Sequence, residues 1–174
     1  MSDIKIHCKH SKLEDIANLV PHPHNPNKHP DKQIALLAKI IRHSGWRSPI
    51  VVSKRSGFIV SGHGRLEAAK LLNVQTVPID EQAFKTEADE HAHLVADNRI
   101  AELAEMNDGR LTELLSVLSE TDIDMDVTGY DHASLNALLT PLQDDPPDGF
   151  PEVDENIETT HTCPKCDYKW SGGE

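Results

Sequence analysis

The sequence predicts an α+β fold: a small mixed sheet with packed helices, followed by a helical extension, an acidic linker and a short cysteine-bearing tail. Three observations carry that prediction. β-Branched runs at 50–53 and 74–79 alternate with segments whose apolar residues recur at helical spacing. A glycine-bracketed turn, Ser61-Gly62-His63-Gly64-Arg65, joins a short apolar run to a helix. Beyond residue 140 the composition changes to proline and carboxylate. A chain of 174 residues has room for one main domain with a real core, expected over 1–106, with appendages at 107–139, 140–160 and 161–174.

The elements follow in order. Residues 4–7 read as a weak strand, and Leu13, Ile16, Leu19 and Val20 form an apolar cluster. Prolines at 21, 23, 26 and 30 forbid regular pairing and predict a polar loop, read either as a functional loop or as a plain connector. Pro30 and Asp31 suit a helix start, Ile34, Leu37, Ile40 and Ile41 lie on one helical face, and Gly45 suits its stop. Ile50-Val51-Val52-Ser53 and Phe58-Ile59-Val60 flank a Lys54-Arg55-Ser56-Gly57 turn and predict a hairpin. A helix is expected over 65–72, a strand over 74–79, and a long helix over 86–105 with Ala92, Val95, Ala96, Ile100 and Leu103 on its apolar side. Leucines at 111–118 and 135–139 mark two further helices around an acidic, irregular stretch at 122–126.

The formal charge of -12 lowers the expectation of a surface drawn as a whole to nucleic acid, while leaving room for a local basic groove. The first residues do not resemble a signal peptide, and no stretch approaches the roughly 20 apolar residues of a membrane span, so a cytoplasmic protein is expected. Of the 3 cysteines, two stand in Cys163-Pro164-Lys165-Cys166, a spacing that points to metal rather than to a disulfide framework.

The chemistry centres on the glycine-bracketed turn. The first turn of a helix carries unpaired N–H groups and a partial positive charge, so it receives anions. Gly62 and Gly64 let an anion approach the backbone, Arg65 adds a planar cationic fork, and the combination reads as a phosphate site that includes Ser61.

With these features in place, residues 19–99 resemble the ParB/sulfiredoxin superfamily, the ParB-like nuclease domains of the phage or mobile-element type. The matching residues are Asn25-Pro26-Asn27, a helix ending at Gly45, Pro49-Ile50-Val51-Val52, Ser61-Gly62-His63-Gly64-Arg65-Leu66-Glu67-Ala68-Ala69 and Val77-Pro78. The resemblance implies a ParB/sulfiredoxin-like fold and a nucleoside triphosphate site. In segregation-type members the turn reads Gly-Glu-Arg-Arg, and sulfiredoxin has a reactive cysteine after the glycine. Here His63 stands in that place and Gly64 replaces the first arginine, so sulfinic acid reduction is not expected. His63 becomes a phosphate donor or general acid, with an exposed turn residue as the alternative. The family's Glu-Asn-x-x-Arg element is matched by Asp97-Asn98-Arg99, with the arginine two positions early. The resemblance gives Asp97 a role in holding Mg²⁺ and in catalysis, and gives Asn98 and Arg99 nucleotide contacts, against a merely solvated helix face. Arg47 and Ser48 fall where the family approaches the nucleotide, or are simply junction residues. Residues 110–139 are similar to the short helical extension of phage and mobile-element ParB-like proteins, some of which are joined to DNA methyltransferases.

The expected function is therefore binding of ATP or CTP with Mg²⁺, with hydrolysis or phosphate transfer in DNA metabolism, DNA or a DNA-modifying enzyme being the partner. One alternative is a DNA-binding or nuclease module acting through His63, Asp97 and Arg99. Another is a non-enzymatic adaptor built on the tail. That tail reads as a zinc knuckle with Cys163 and Cys166 as thiolate ligands and His161 as a third, completed by His7, Cys8, His10 or a second subunit, a dimerisation or recruitment element.

Overall fold

Gly45 sets the path of the N-terminal half. Helix α1, Asp31–Ser44, ends there because Gly45 adopts φ +72, its N–H still bonded to the Ile41 carbonyl. A Cβ at this position would lie 2.5 Å from the Lys5 carbonyl oxygen, so only glycine lets the N-terminal segment pass. Trp46, 2% exposed, then fastens that segment: its N–H donates to Lys5 O, and its carbonyl accepts from the N–H groups of His7 and Cys8. The strand expected over 4–7 is accordingly reduced to a single bridge, Ile6 with Trp46. The structure is a computed structural model and describes residues 4–140 and 159–171.

The sheet has five strands in the order β1-β5-β3-β4-β2: β1 Lys12–Asp15, β2 Val20–Pro21, β3 Ile50–Ser53, β4 Phe58–Ser61 and β5 Thr76–Gln82. It is mixed. β1 and β5 run antiparallel, as do β3 and β4, whereas β5 is parallel to β3 and β2 parallel to β4. Pro21 is tolerated because β2 is an edge strand. Helix α2, His63–Leu71, packs against α1, and Leu66, Ala68 and Ala69 join Ile50, Ile59, Val77 and Ile79 in a dry core. Leu13 and Val20, expected in an apolar cluster, are about half exposed, at 50% and 48%.

Helix α3, Glu87–Glu102, opens with a capping box: the Asp89 N–H donates to Thr86 Oγ1 and the Thr86 N–H to Asp89 Oδ2. Its buried face differs from expectation. Val95, Ile100 and Leu103 are exposed, while Glu90 and Leu94 are buried. The reason is that α3 meets the sheet along β4, and the contact line runs through Glu90, His91, Leu94 and Asn98 rather than along the more apolar side. Helices α4, Asp108–Ser119, and α5, His132–Leu139, pack together around Leu115 and Leu135. Between them the acidic stretch forms a 3₁₀ turn, Met125–Thr128, held on α1 by Lys39 Nζ, which lies 2.8 Å from Asp124 and 2.6 Å from Asp126.

Two compact units divide the chain, Met1–Leu139 and Thr140–Glu174. The second contains a hairpin of β6, His161–Thr162, and β7, Lys169–Trp170. The acidic linker expected over 140–160 lies, apart from its ends, outside the described residues. Among the described residues, no helix is long and apolar enough to cross a membrane.

Candidate functional site

Strand β4 delivers the chain to Gly62, which caps α2 in the left-handed region at φ +92 and ψ 26. A side chain there would be strained, and its Cβ would meet Arg65 Nη1 at 2.7 Å. The N–H groups of Arg65 and Leu66 close back on the Gly62 carbonyl at 2.9 and 3.2 Å. His63 and Gly64 occupy the first positions of the helix, whose N–H groups have no intrahelical acceptor. This mouth opens on a cavity of about 240 Å³, lined by Ser61, Gly62, His63, Arg65, Asp97 and Asn98, with Asn27 and His29 from the proline loop.

Arg65 is the cation of the site. Its Nη1 donates to the Pro49 carbonyl at 2.7 Å, which fixes the fork. Burial lowers its pKa, opposed by the carboxylate of Asp97 and by Cys8, and an arginine so placed keeps its charge at neutral pH. Opposite, Ser61 Oγ donates to Asp97 Oδ2 at 2.7 Å, tying β4 to α3 across the cavity. Asn98 donates its amide to the Leu94 carbonyl at 3.1 Å, so the amide oxygen keeps its lone pairs for a ligand. His63 Nε2 accepts the His22 N–H at 3.2 Å, which puts the ring proton on Nδ1. Burial, with help from His29 and His22, pulls its pKa down, and Asp97 opposes this, so the imidazole is neutral at pH 7. Helix N–H groups and a guanidinium can bind phosphate; a carboxylate, a hydroxyl and an amide oxygen can share a hard cation with it.

A family model described as the ParB N-terminal domain matches residues 5–99. The chain belongs to this family. The ParB-like nuclease domain-containing protein YnaK of Escherichia coli (strain K12) is 36% identical over 64 residues, 37% of this chain and 72% of that protein. Stage 0 sporulation protein J of Bacillus subtilis (strain 168) is 41% identical over 66 residues, 36% of this chain and 23% of that protein, so the shared part is a minority of the longer relative. A C-terminally truncated chromosome-partitioning protein ParB from Caulobacter crescentus, solved in complex with CTP-gamma-S, superposes with a TM-score of 0.60 at 22% identity, covering 74% of this chain and 76% of that one. That likeness shows the shared fold.

Within this ParB N-terminal domain, Ser61, Gly62, His63, Arg65, Asp97 and Asn98 converge on one cavity. Gly64 is buried and does not line the cavity; a Cβ there would meet His29 at 3.4 Å. Arg47, Ser48 and Arg99 do not line the cavity. Arg47 Nε bonds the Ser44 carbonyl and lines a separate groove beside Trp46; Ser48 is exposed. Arg99 is ion-paired with Glu102 at 2.7 Å on the exposed side of α3, because a position one residue past Asn98 turns away from the sheet. In the tail, Cys163 and Cys166 share a turn, but His161 does not join them: its ring stacks on Trp170, with centroids 5.6 Å apart. Among the described residues, no three His, Cys, Asp or Glu side chains converge as a metal cage.

A second polar cluster went unforeseen. Glu90 is fully buried and accepts from Ser53 Oγ, Ser56 Oγ and Arg55 Nε, at 2.6, 2.6 and 3.0 Å. Ser53 and Arg55 share Oε2, whereas His22 Nε2 lies 3.4 Å from Oε1, the oxygen that accepts from Ser56, and the His22 ring packs on Phe58, His24 and His91. Because the His22 N–H also holds His63, this network braces the start of α2. Ser53 at the end of β3 and Ser56 in the 54–57 turn are the sequence signal that could have pointed to it.

Proposed function

We propose that the chain binds a nucleoside triphosphate with Mg²⁺, the phosphates lying on the first turn of α2. The observation that carries this reading is the convergence of the Gly62 to Arg65 turn with Asp97 and Asn98 on one cavity. A volume of about 240 Å³ suits the phosphate end of the ligand. Sugar and base would rest on the open side, near Asn27 and His29 of the proline loop. The donor set fits Mg²⁺: one carboxylate and neutral oxygens leave most coordination positions to phosphate and water, as this small cation prefers. Bound there, the ion would neutralise phosphate charge, with Asp97 as its carboxylate ligand and Ser61 keeping that carboxylate in place. CTP is the first nucleotide to test, since the Caulobacter relative was solved with CTP-gamma-S; ATP is the comparison.

His63 serves the proposed site as a brace and a phosphate neighbour more readily than as a proton shuttle, because its Nε2 is engaged and its ring neutral. The nuclease alternative, which needs His63 as a catalytic group, is correspondingly less supported. A role in DNA metabolism, in a phage or mobile-element setting and beside a DNA-modifying partner, accords with the family. Acidic residues such as Glu113, Glu120 and Asp122 argue against phosphate contact by the extension, which favours a protein over DNA as what it meets. Calorimetric titration of CTP and ATP, each with and without Mg²⁺, tests the proposal. Saturable binding that requires Mg²⁺ is expected for at least one nucleotide, and its absence for both overturns the reading.

A further inference from the structure

The second unit has no core of its own among its described residues: between 159 and 171 no side chain is buried. β6 and β7 contribute two residues each, and an isolated two-stranded hairpin is marginal in water. Its turn is nevertheless closely specified. The Cys163 N–H donates to the Tyr168 carbonyl at 2.8 Å, the Asp167 N–H to the Cys163 carbonyl at 3.0 Å, and Asp167 takes φ +55. The result brings two thiols to one place. The backbone N–H groups of Lys165 and Cys166 and the Cys166 thiol all lie against the Cys163 sulfur, so the turn holds both sulfurs side by side.

Zn²⁺ takes four ligands in a structural site, and this turn presents two. His161 is turned onto Trp170, and no third ligating side chain among the described residues converges on the pair. Beside the turn, Tyr168 and Trp170 stack at 6.4 Å while remaining 69% and 42% exposed, an aromatic face with room for a partner. We propose that one Zn²⁺ is held by four thiolates, Cys163 and Cys166 from each of two copies of this chain. A two-fold axis through the metal turns two identical half-sites into one tetrahedral site, and it brings the two aromatic faces together. Each thiol gives up its proton on binding, and the metal supplies the cross-link that the coreless hairpin lacks.

This inference is independent of nucleotide, and its test omits nucleotide. The full chain, purified reduced and stripped of metal, is titrated with Zn²⁺ alone, while metal content and mass by light scattering are recorded. The expected result is one Zn²⁺ per two chains, a dimer in Zn²⁺, a monomer in chelator, and a tetrathiolate spectrum on Co²⁺ substitution. Cys166→Ser abolishes the zinc-dependent dimer with the unfolding curve of the first unit unchanged, whereas His161→Ala retains it. One Zn²⁺ per monomer, failure to retain Zn²⁺, a mass that does not respond to Zn²⁺, or loss of the metal in His161→Ala would each overturn the proposal.

Discussion

Replacing Glu90 with glutamine perturbs the most buried charge of the domain. The carboxylate is fully buried and accepts from two serine hydroxyls at 2.6 Å and from Arg55 at 3.0 Å. Hydrogen bonds to a charged group contribute roughly 1.5–3 kcal/mol each. The serine bonds count fully, but Arg55 is about one-third exposed, so its share falls toward the about 0–1 kcal/mol of a surface pair. Glutamine keeps one carbonyl oxygen and hence one neutral bond, while its amide faces donors. The net loss is then about 3 kcal/mol, at the lower edge of what breaking a buried pair costs. A pH signature accompanies it. Burial raises the Glu90 pKa, but the Ser53 and Ser56 hydroxyls and Arg55 together outweigh it and hold it below the ordinary value. A carboxylate depressed in the folded state stabilises above its unfolded pKa, about 4.3, and loses that contribution as pH falls through the folded value. Urea unfolding followed by circular dichroism, at pH 7 and in steps below pH 5, should therefore show a weaker variant with a shallower acid limb. His22, whose pKa burial lowers against the opposing pull of Glu90, adds an acid loss beginning near pH 6.5 that is larger in the variant, so the two limbs are compared below pH 5. A loss under about 1 kcal/mol at pH 7, or identical acid limbs, would refute the reasoning.

Gly62→Ala should destabilise the domain by roughly 1–3 kcal/mol through left-handed strain, and should weaken nucleotide binding as well, because the new Cβ displaces Arg65 Nη1; melting curves and titrations read the two effects. Asp97→Asn keeps an acceptor for Ser61, so its melting point should stay near wild type while the Mg²⁺ dependence of nucleotide binding disappears in paired titrations. Arg47→Ala and Arg99→Ala lie off the cavity, and fluorescence titration should find their nucleotide affinity within about threefold of wild type, the scale of a surface change under 1 kcal/mol.

Local signals explain what could be read in the sequence. Gly62 and Gly64 before an amphipathic run announced the turn, and Pro30 and Gly45 bracketed α1, because capping and left-handed glycine are properties of neighbouring residues. The hairpin of β3 and β4 was legible in its β-branched residues. What was hidden depends on distant contacts. β1 reads Lys-Leu-Glu-Asp, without β-branched residues, and is a strand because β5 supplies its partners. The inward face of α3 was misjudged because Glu90 finds serines more than 30 residues earlier in the chain, which makes a glutamate the buried residue and leaves Val95 exposed. The same holds at the site: Asp97 and Asn98 line one cavity with the turn, while Arg99, adjacent in sequence, points elsewhere by helical geometry.

The central claim is that Arg65 and the first turn of α2 receive the phosphates. Its most direct test is the affinity of Mg²⁺-CTP and Mg²⁺-ATP for the wild type and for Arg65→Ala at one salt concentration, with melting curves taken alongside. Loss of a charge-assisted contact of roughly 1.5–3 kcal/mol predicts binding about ten- to a hundredfold weaker in a variant that remains folded. A folded Arg65→Ala protein that binds the nucleotide as tightly as the wild type would contradict the account.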